Sequence, residues 1–451
     1  MRPTRQQLGD ACAIIEPLIR YRALMSRTPG VSFGISHDGD PILLGAAGSA
    51  DLESSAPALP TTGYRVASIT KTFTATLVMQ LVEQGKLRLD EPVATYLSWT
   101  KPVLGSSGVT LRHLLTHSGG IIRDGSCSWT DDGFPDVGRF HADVLGGGTF
   151  AEPAVGFRYS NVAYALLGEI IEKATGLGFA TAIDRRIVRP LALAASGTRI
   201  TKRLRSTLAT GYLYRRPGEP WPAAKHTEAG AFEPAGGMIS NVPDLLAYQQ
   251  AHFPGSTKLL NDLSKREMQR TQWQRSEEPH HGYGWMVYAV DGVSLRGHSG
   301  GYPGFVTRIA FAPEWGVAAA VLTNNLGPLS ALAVEMAFHT MAKVAAMWGD
   351  AAGPPAGPSR AALRHYTGQF RGEWGEALIA LVNKSLYLVD PEEDRPMRIP
   401  ARLEPSGEHR FLIADNEDYG RRGEHISFST DKSGRATALH VGPNSLQRAD
   451  P

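Results

Sequence analysis

The chain has 451 residues, 42% of them hydrophobic and 20% charged, with 46 Lys and Arg against 44 Asp and Glu. That length suits roughly two or three domains and a sizeable buried core. The near-balanced charge, without a basic run, argues against a nucleic-acid partner, and no stretch approaches the roughly 18 apolar residues of a membrane span.

Cys12 and Cys127 fit neither a disulfide framework nor a zinc site, and two unpaired thiols are expected. Met1 to Arg5 is basic, but Leu8-Gly9-Asp10-Ala11 interrupts any leader-like apolar run. A cytoplasmic chain is expected as written, and a periplasmic or secreted one if a leader has been removed. Residues 6–27 read as a helix with Ile14, Ile15, Leu18 and Ile19 on one side. Residues 31–36 and 42–47 read as strands around an Asp38-Gly39-Asp40 turn. From Ser68 to Gln84 the pattern is helical, stopped by Gly85. Residues 110–250 alternate helices with glycine-bearing loops; the clearest helices are 162–175, ended by Gly176, and 242–253, capped by Asn241 or Ser240. Residues 284–290, 293–298, 306–312 and 317–324 then read as consecutive strands, and 329–348 as a closing helix. This order predicts an α+β domain with an antiparallel sheet.

The Pro/Gly run at 349–359 reads as a linker, so the expected domains are 1–348 and 360–451. The second carries short strand-like runs at 377–382, 385–389, 410–414 and 436–441, which suggest a small β-barrel or sandwich.

Three motifs carry chemistry. Ser68-Ile69-Thr70-Lys71 opens an apolar helix. Residues three apart share a helix face, so the hydroxyl and the amine can meet. A serine needs a base to become a nucleophile, and a lysine serves as one when burial lowers its pKa. N–H groups at the helix start can stabilise an oxyanion. Tyr159-Ser160-Asn161 precedes the next helix. A tyrosine beside a lysine is expected to lose its proton more easily and to shuttle it, and Asn161 can bond a substrate amide. His298-Ser299-Gly300-Gly301 ends a strand, where the Gly301 N–H is an oxyanion donor and Asn161, His298, Ser299 and Gly300 are candidate substrate contacts. Gly297 to Gly301 also fits the G-x-S-x-G elbow, but that motif needs a helix straight after its serine, and Tyr302-Pro303-Gly304-Phe305 leads into a strand.

The order of these motifs, with Leu114-Leu115-Thr116-His117-Ser118-Gly119-Gly120, Pro234-Ala235-Gly236-Gly237-Met238 and Gly282-Tyr283-Gly284-Trp285, resembles the serine β-lactamase and penicillin-binding-protein superfamily in its class C-like branch. The resemblance spans roughly residues 10–348. It implies an antiparallel sheet flanked by helices, an all-helical subdomain, and a site between them. It also implies Ser68 as nucleophile, Lys71 and Tyr159 as general base and acid, and the N–H groups of Ser68 and Gly301 as the oxyanion hole. His298 departs from the lysine that β-lactamases and transpeptidases usually carry, which implies weak or incidental β-lactam hydrolysis. The tail resembles the lipocalin-like barrel domains of related D-aminopeptidases.

The expected activity is therefore serine hydrolysis of amide or peptide bonds, D-residues included. The alternatives are a carboxylesterase or acyltransferase and a non-catalytic peptide-binding scaffold. A small-molecule or peptide substrate is expected, together with homo-oligomerisation through the tail, and neither cofactor nor metal. His113 and His117 read as loop-fixing residues. Adjacent His280 and His281 lack the spacing of a chelate. Gly146-Gly147-Gly148 lacks the G-K-[ST] of a phosphate cradle. Trp129, Phe134 and Tyr302 can line the cleft or pack, and Tyr283 and Trp285 read as core.

Overall fold

A computed structural model describes residues 2–130, 133–352, 357–373, 375–415 and 422–449, so part of the expected linker, residues 353–356, lies outside the described residues. The chain divides into two compact units, Ser26–Val334 and Met1–Met25 together with Glu335–Pro451. This division differs from the sequence boundaries, because the N-terminal helix joins the tail.

In the larger unit, eight strands form one antiparallel sheet: β1 (Gly30–His37), β2 (Asp40–Asp51), β3 (Ala56–Pro57), β6 (His280–His281), β7 (Met286–Val290), β8 (Val293–Tyr302), β9 (Phe305–Ala312) and β10 (Val317–Thr323), while β4 (Tyr64–Arg65) and β5 (Ile239–Ser240) make a separate ribbon. The spatial order is β3-β2-β1-β10-β9-β8-β7-β6. β10 is buried along its whole length, and β1 everywhere but at its last residue. The helix Val242–Gln250 packs on both, started by Asn241, whose side chain accepts from the Asp244 N–H. β8 runs on to Tyr302, four residues beyond the expected end. Its last part pairs with β9 alone, because β7 follows it only to Gly297. Gly300 and Gly301 hide this extension from any strand pattern.

The helical region centres on two helices. Thr70–Glu83 is buried at every position from Thr70 to Leu81, and Phe73 stacks on Tyr248 at 3.7 Å. Asn161–Thr175 packs against it. Ser160 caps this second helix by accepting from the Ala163 N–H at 2.9 Å, and Gly176 ends it at φ +68°. The cap is thus Ser160, and the Asn161 side chain is released for other use.

Sheet and helices meet at a close approach. A Cβ on Gly300 would lie 2.1 Å from the Val66 carbonyl oxygen and 2.5 Å from Thr307 Oγ1, so only glycine lets β8 pass the turn before Thr70. Thr307 Oγ1 also donates to the Val66 carbonyl at 3.2 Å.

In the other unit, eight strands close into an antiparallel barrel: β11 (Gly368–Gly372), β12 (Gly375–Val382), β13 (Ser385–Val389), β14 (Ala401–Gly407), β15 (Arg410–Asp415), β16 (His425–Thr430), β17 (Ala436–Val441) and β18 (Asn444–Arg448). Every strand neighbours the next in sequence, and β18 returns to β11. The four expected runs are all strands; β11, β14, β16 and β18 were not legible. Phe370, Ile379, Leu403, Phe411, Ile413 and Phe428 belong to a packed core, so the barrel is filled with side chains. The helix Arg5–Met25 packs on β12 and is tied there by buried Asp10, which accepts from Arg360 and from the Asn383 N–H at 2.8 Å. Cys12 and Cys127 are buried free thiols.

Gly300→Ala is expected to overpack the approach to Val66 and to destabilise the protein by about 1–3 kcal/mol, read as a lowered Tm in thermal denaturation. Gly301→Ala is the control, since a Cβ there meets nothing within 4 Å; equal Tm losses in the two variants would refute the argument.

Candidate active site

Ser68 lies in a single 3₁₀ turn, Ala67–Ile69, that feeds the helix Thr70–Glu83. Ala67 takes φ +49°, a left-handed conformation that strains a residue with a side chain. Its neighbours Ala67 and Ile69 are fully buried, whereas Ser68 is half-buried, so the turn presents the hydroxyl. The first N–H groups of a helical segment have no intrahelical acceptor, and the Ser68 N–H is one of them.

Lys71 follows one turn later and is completely buried. Its Nζ lies 3.1 Å from Ser68 Oγ, donates to Asn161 Oδ1 at 2.6 Å, and donates to the Ala235 carbonyl at 2.8 Å. Burial pushes its pKa well below the usual lysine value; Asp124 opposes that shift and Arg123 adds to it. A neutral amine has two N–H bonds and one lone pair. Both N–H bonds meet oxygens that can only accept, which leaves the lone pair for the Ser68 hydroxyl.

Asn161 is held at both ends. Its Nδ2 donates to Asp124 Oδ1 at 2.5 Å, which orients Oδ1 toward Lys71. One of its two N–H donors and one of its two acceptor positions are thus taken by Asp124 and Lys71. Asp124 Oδ1 also accepts from Trp129 Nε1 at 2.7 Å, and Asp124 Oδ2 pairs with Arg123 at 2.9 Å.

The Tyr159 ring stacks on His117 at 4.3 Å and has Lys71 Nζ 4.9 Å from its centroid. Its hydroxyl hydrogen-bonds the Ser68 side chain, but burial outweighs this and raises its pKa. The sequence expectation was the reverse. Proximity to a lysine is visible in the motifs, whereas the burial of the Tyr159 ring, which decides the direction, is not. His117 accepts from the Ser160 N–H through Nδ1 at 3.0 Å. It therefore fixes its loop, as expected, and also forms the floor under Tyr159. Burial keeps His117 neutral, its pKa far below the usual value.

Across the site, β8 contributes His298 to Gly301. His298 is buried, and its Nδ1 lies 2.6 Å from the Ser299 carbonyl, which can only accept. Nδ1 thus carries the proton, and burial holds the imidazole neutral. Ser299 stands opposite Arg308 of β9, whose guanidinium donates to Ser299 Oγ at 2.5 Å and lies over the Tyr288 ring at 4.8 Å. The elbow serine is thus committed to an arginine, and a strand follows it. Gly301 is exposed, on the stretch of β8 beyond the end of β7.

The structure therefore brings Ser68, Lys71, Tyr159, Asn161 and β8 into one region. Sequence reasoning missed Asp124, the Ala235 carbonyl and Arg308. Pro234 to Met238 and the loop up to Gly120 were noticed as family-like runs without roles, and nothing local marks Asp124. Tyr283 and Trp285 are core, fully buried as read. Among the described residues, no group of three His, Cys, Asp or Glu side chains could hold a metal ion, and no helix is long and apolar enough to cross a membrane.

Known proteins resemble this chain in sequence or in fold. Penicillin-binding protein 4 of Amycolatopsis lactamdurans is 29% identical over 383 residues, 79% of this chain and 97% of that protein. Esterase EstB of Burkholderia gladioli is 32% identical over 201 residues, covering 41% of this chain and 50% of the esterase. The octameric penicillin-binding protein homologue from Pyrococcus abyssi superposes with a TM-score of 0.68 at 25% identity, over 96% of this chain and 99% of that one. The Beta-lactamase family model matches residues 17–337, a span that includes every site residue named above, and the chain belongs to the Beta-lactamase family.

Proposed function

We propose that the chain is a serine hydrolase that forms an acyl-enzyme on Ser68 and cleaves amide or peptide bonds, those next to D-residues included. The observation that carries this reading is the buried Lys71 amine, held by two acceptors with its Nζ 3.1 Å from Ser68 Oγ.

In this reading Lys71 takes the Ser68 proton as Oγ attacks the substrate carbonyl carbon. The N–H groups of Ser68 and Gly301 receive the oxyanion. Tyr159, whose phenol stays protonated, gives its proton to the leaving nitrogen or oxygen as that bond breaks, and the Lys71 ammonium then reprotonates the phenolate. Water attacks the acyl ester, Lys71 accepts its proton, and that proton returns to Ser68 Oγ as the acid leaves.

A carboxylesterase or acyltransferase for small acyl esters would use the same residues, and the likeness to Esterase EstB supports it. Matched ester and amide substrates separate the readings by their kcat/KM ratio. Neutral His298 offers no cation where a lactam carboxylate would lie, and the nearby cation, Arg308, is engaged with Ser299. β-Lactam turnover is therefore expected to be weak beside ester turnover. Self-association through the barrel belongs to the same reading, supported by the likeness to an octameric homologue; a monomer mass from light scattering of the full chain would remove it.

Incubation with a fluorophosphonate is expected to add one adduct by intact mass, lost in Ser68→Ala and kept in Ser299→Ala. An adduct that survives Ser68→Ala would sink the nucleophile assignment, and no adduct in any form would favour the peptide-binding scaffold. Lys71→Arg cannot supply a neutral base and should lower kcat by about 10²–10⁴.

The pH profile follows from the two shifts. Lys71 works as the neutral amine, so activity falls as pH drops through its lowered pKa. Tyr159 works as the phenol, so the alkaline limb lies above the ordinary tyrosine range. Asp124 raises the Lys71 pKa, so Asp124→Asn, which removes the charge and keeps an acceptor for Asn161, should move the acid limb of kcat/KM to lower pH. A limb that stays in place or rises contradicts the assignment of Lys71 as the base.

A further inference from the structure

Thr70 lies inside the Ser68-Ile69-Thr70-Lys71 motif and has no part in the proton transfers, yet its side chain is fully buried and bonded on both sides. Thr70 Oγ1 donates to the Ala67 carbonyl at 2.5 Å and accepts from the Met238 N–H at 3.0 Å. The Thr70 backbone N–H donates to the Ala67 carbonyl as well. That carbonyl therefore meets two donors from one residue, and its direction is fixed. A peptide unit is planar and trans, so its C=O and N–H point to opposite sides. The Ala67 carbonyl shares its unit with the Ser68 N–H. Holding the oxygen toward Thr70 thus aims the Ser68 N–H away from the helix. The unit needs holding, because Ala67 is strained at φ +49°. The peptide on the other side of Ala67 is held too: the Val66 carbonyl accepts from the Ile69 N–H and from Thr307 Oγ1, each at 3.2 Å.

The other bond of the hydroxyl reaches far along the chain. Met238 closes the run Pro234 to Met238, and its carbonyl accepts from the Val66 N–H at 3.0 Å. Thr74, one turn further on the same helix face, donates to the Pro234 carbonyl at 2.7 Å. Two threonines thus hold both ends of the run whose middle supplies the Ala235 carbonyl to Lys71. A valine in place of Thr70 keeps the shape of the side chain, loses both hydroxyl bonds, and leaves the Met238 N–H facing a methyl group.

We propose that Thr70 is a positioning residue for the oxyanion hole: its hydroxyl turns the Ala67–Ser68 peptide so that the Ser68 N–H faces the developing oxyanion, and it couples that direction to the run that carries the Lys71 acceptor. The assignment rests on the reading of Ser68 as nucleophile and of its own N–H as an oxyanion donor. In that reading Lys71 moves the proton, and Thr70 sets where the negative charge is received.

The test compares kcat/KM of the full chain for p-nitrophenyl acetate and for its thionoester, in which sulfur replaces the carbonyl oxygen. Sulfur accepts hydrogen bonds weakly, so the thionoester gains little from the hole. Thr70→Val is expected to lower kcat/KM for the oxygen ester by about 10²–10³, as loss of one oxyanion donor does, and for the thionoester far less, so that the oxygen-to-sulfur ratio collapses. Thr70→Ser keeps the hydroxyl and should restore the wild-type ratio. Partial unfolding scales both rates alike, so the ratio reads the aim of the N–H and not stability. Should the valine variant fail to fold, Thr70→Ala carries the same comparison. A ratio unchanged in Thr70→Val, or one that falls equally in Thr70→Ser, overturns the positioning role; if turnover is still lost in Ser68→Ala, the nucleophile stands. Turnover that survives Ser68→Ala means that the nucleophile reading fails, and the positioning role falls with it.

Discussion

The site depends on burying the Lys71 amine without a direct ionic partner. An ammonium removed from water costs several kcal/mol even after relaxation, so the amine holds its proton far less tightly than a free lysine does. Among the described residues the only carboxylate with a marked pull on it, Asp124, acts through the Asn161 amide rather than by contact. That separation lets Asp124 orient Asn161 while burial remains the larger influence on the amine. Two fixed acceptors then decide where the lone pair points.

The same burial sets the remaining proton inventory. Tyr159, His117 and His298 all lie around the amine, and desolvation keeps each of them uncharged. The charged groups stand one step back: Arg123 and Asp124 pair with each other, and Arg308 is bonded to Ser299. In a site organised this way, small changes in geometry matter more than bulk salt. The packing supports it. Gly300 brings β8 against the Ser68 turn, the strained Ala67 presents the hydroxyl, and His117 supports the Tyr159 ring.

The unit that holds the barrel follows simpler rules. Its strands are short, each pairs with its successor, and the interior is closed by Phe370, Phe411, Phe428 and their neighbours. A core filled in this way offers stability and an outer surface rather than a ligand cavity. The N-terminal helix belongs to the same unit because Asp10 finds its partners, Arg360 and Asn383, more than three hundred residues along the chain. No local pattern could announce that.

From sequence alone, the helix carrying Ser68 and Lys71, the Tyr159-Ser160-Asn161 start of a second helix, the strand at His298 and the barrel as a class were all legible, because each rests on spacing within a few residues. Periodicity identifies a helix face, and three-residue spacing places a hydroxyl beside an amine. The tertiary structure alone decided the rest. Lys71 meets Asn161 across 90 positions and Ala235 across 164. Those contacts, with the burial around them, determine that Lys71 holds its proton less tightly than a free lysine, that Tyr159 holds its proton more tightly rather than less, and that Asn161 bonds Lys71 and Asp124. Protonation state and hydrogen-bond direction are set by desolvation and by neighbours distant in sequence, and neither is encoded in any short segment of the chain.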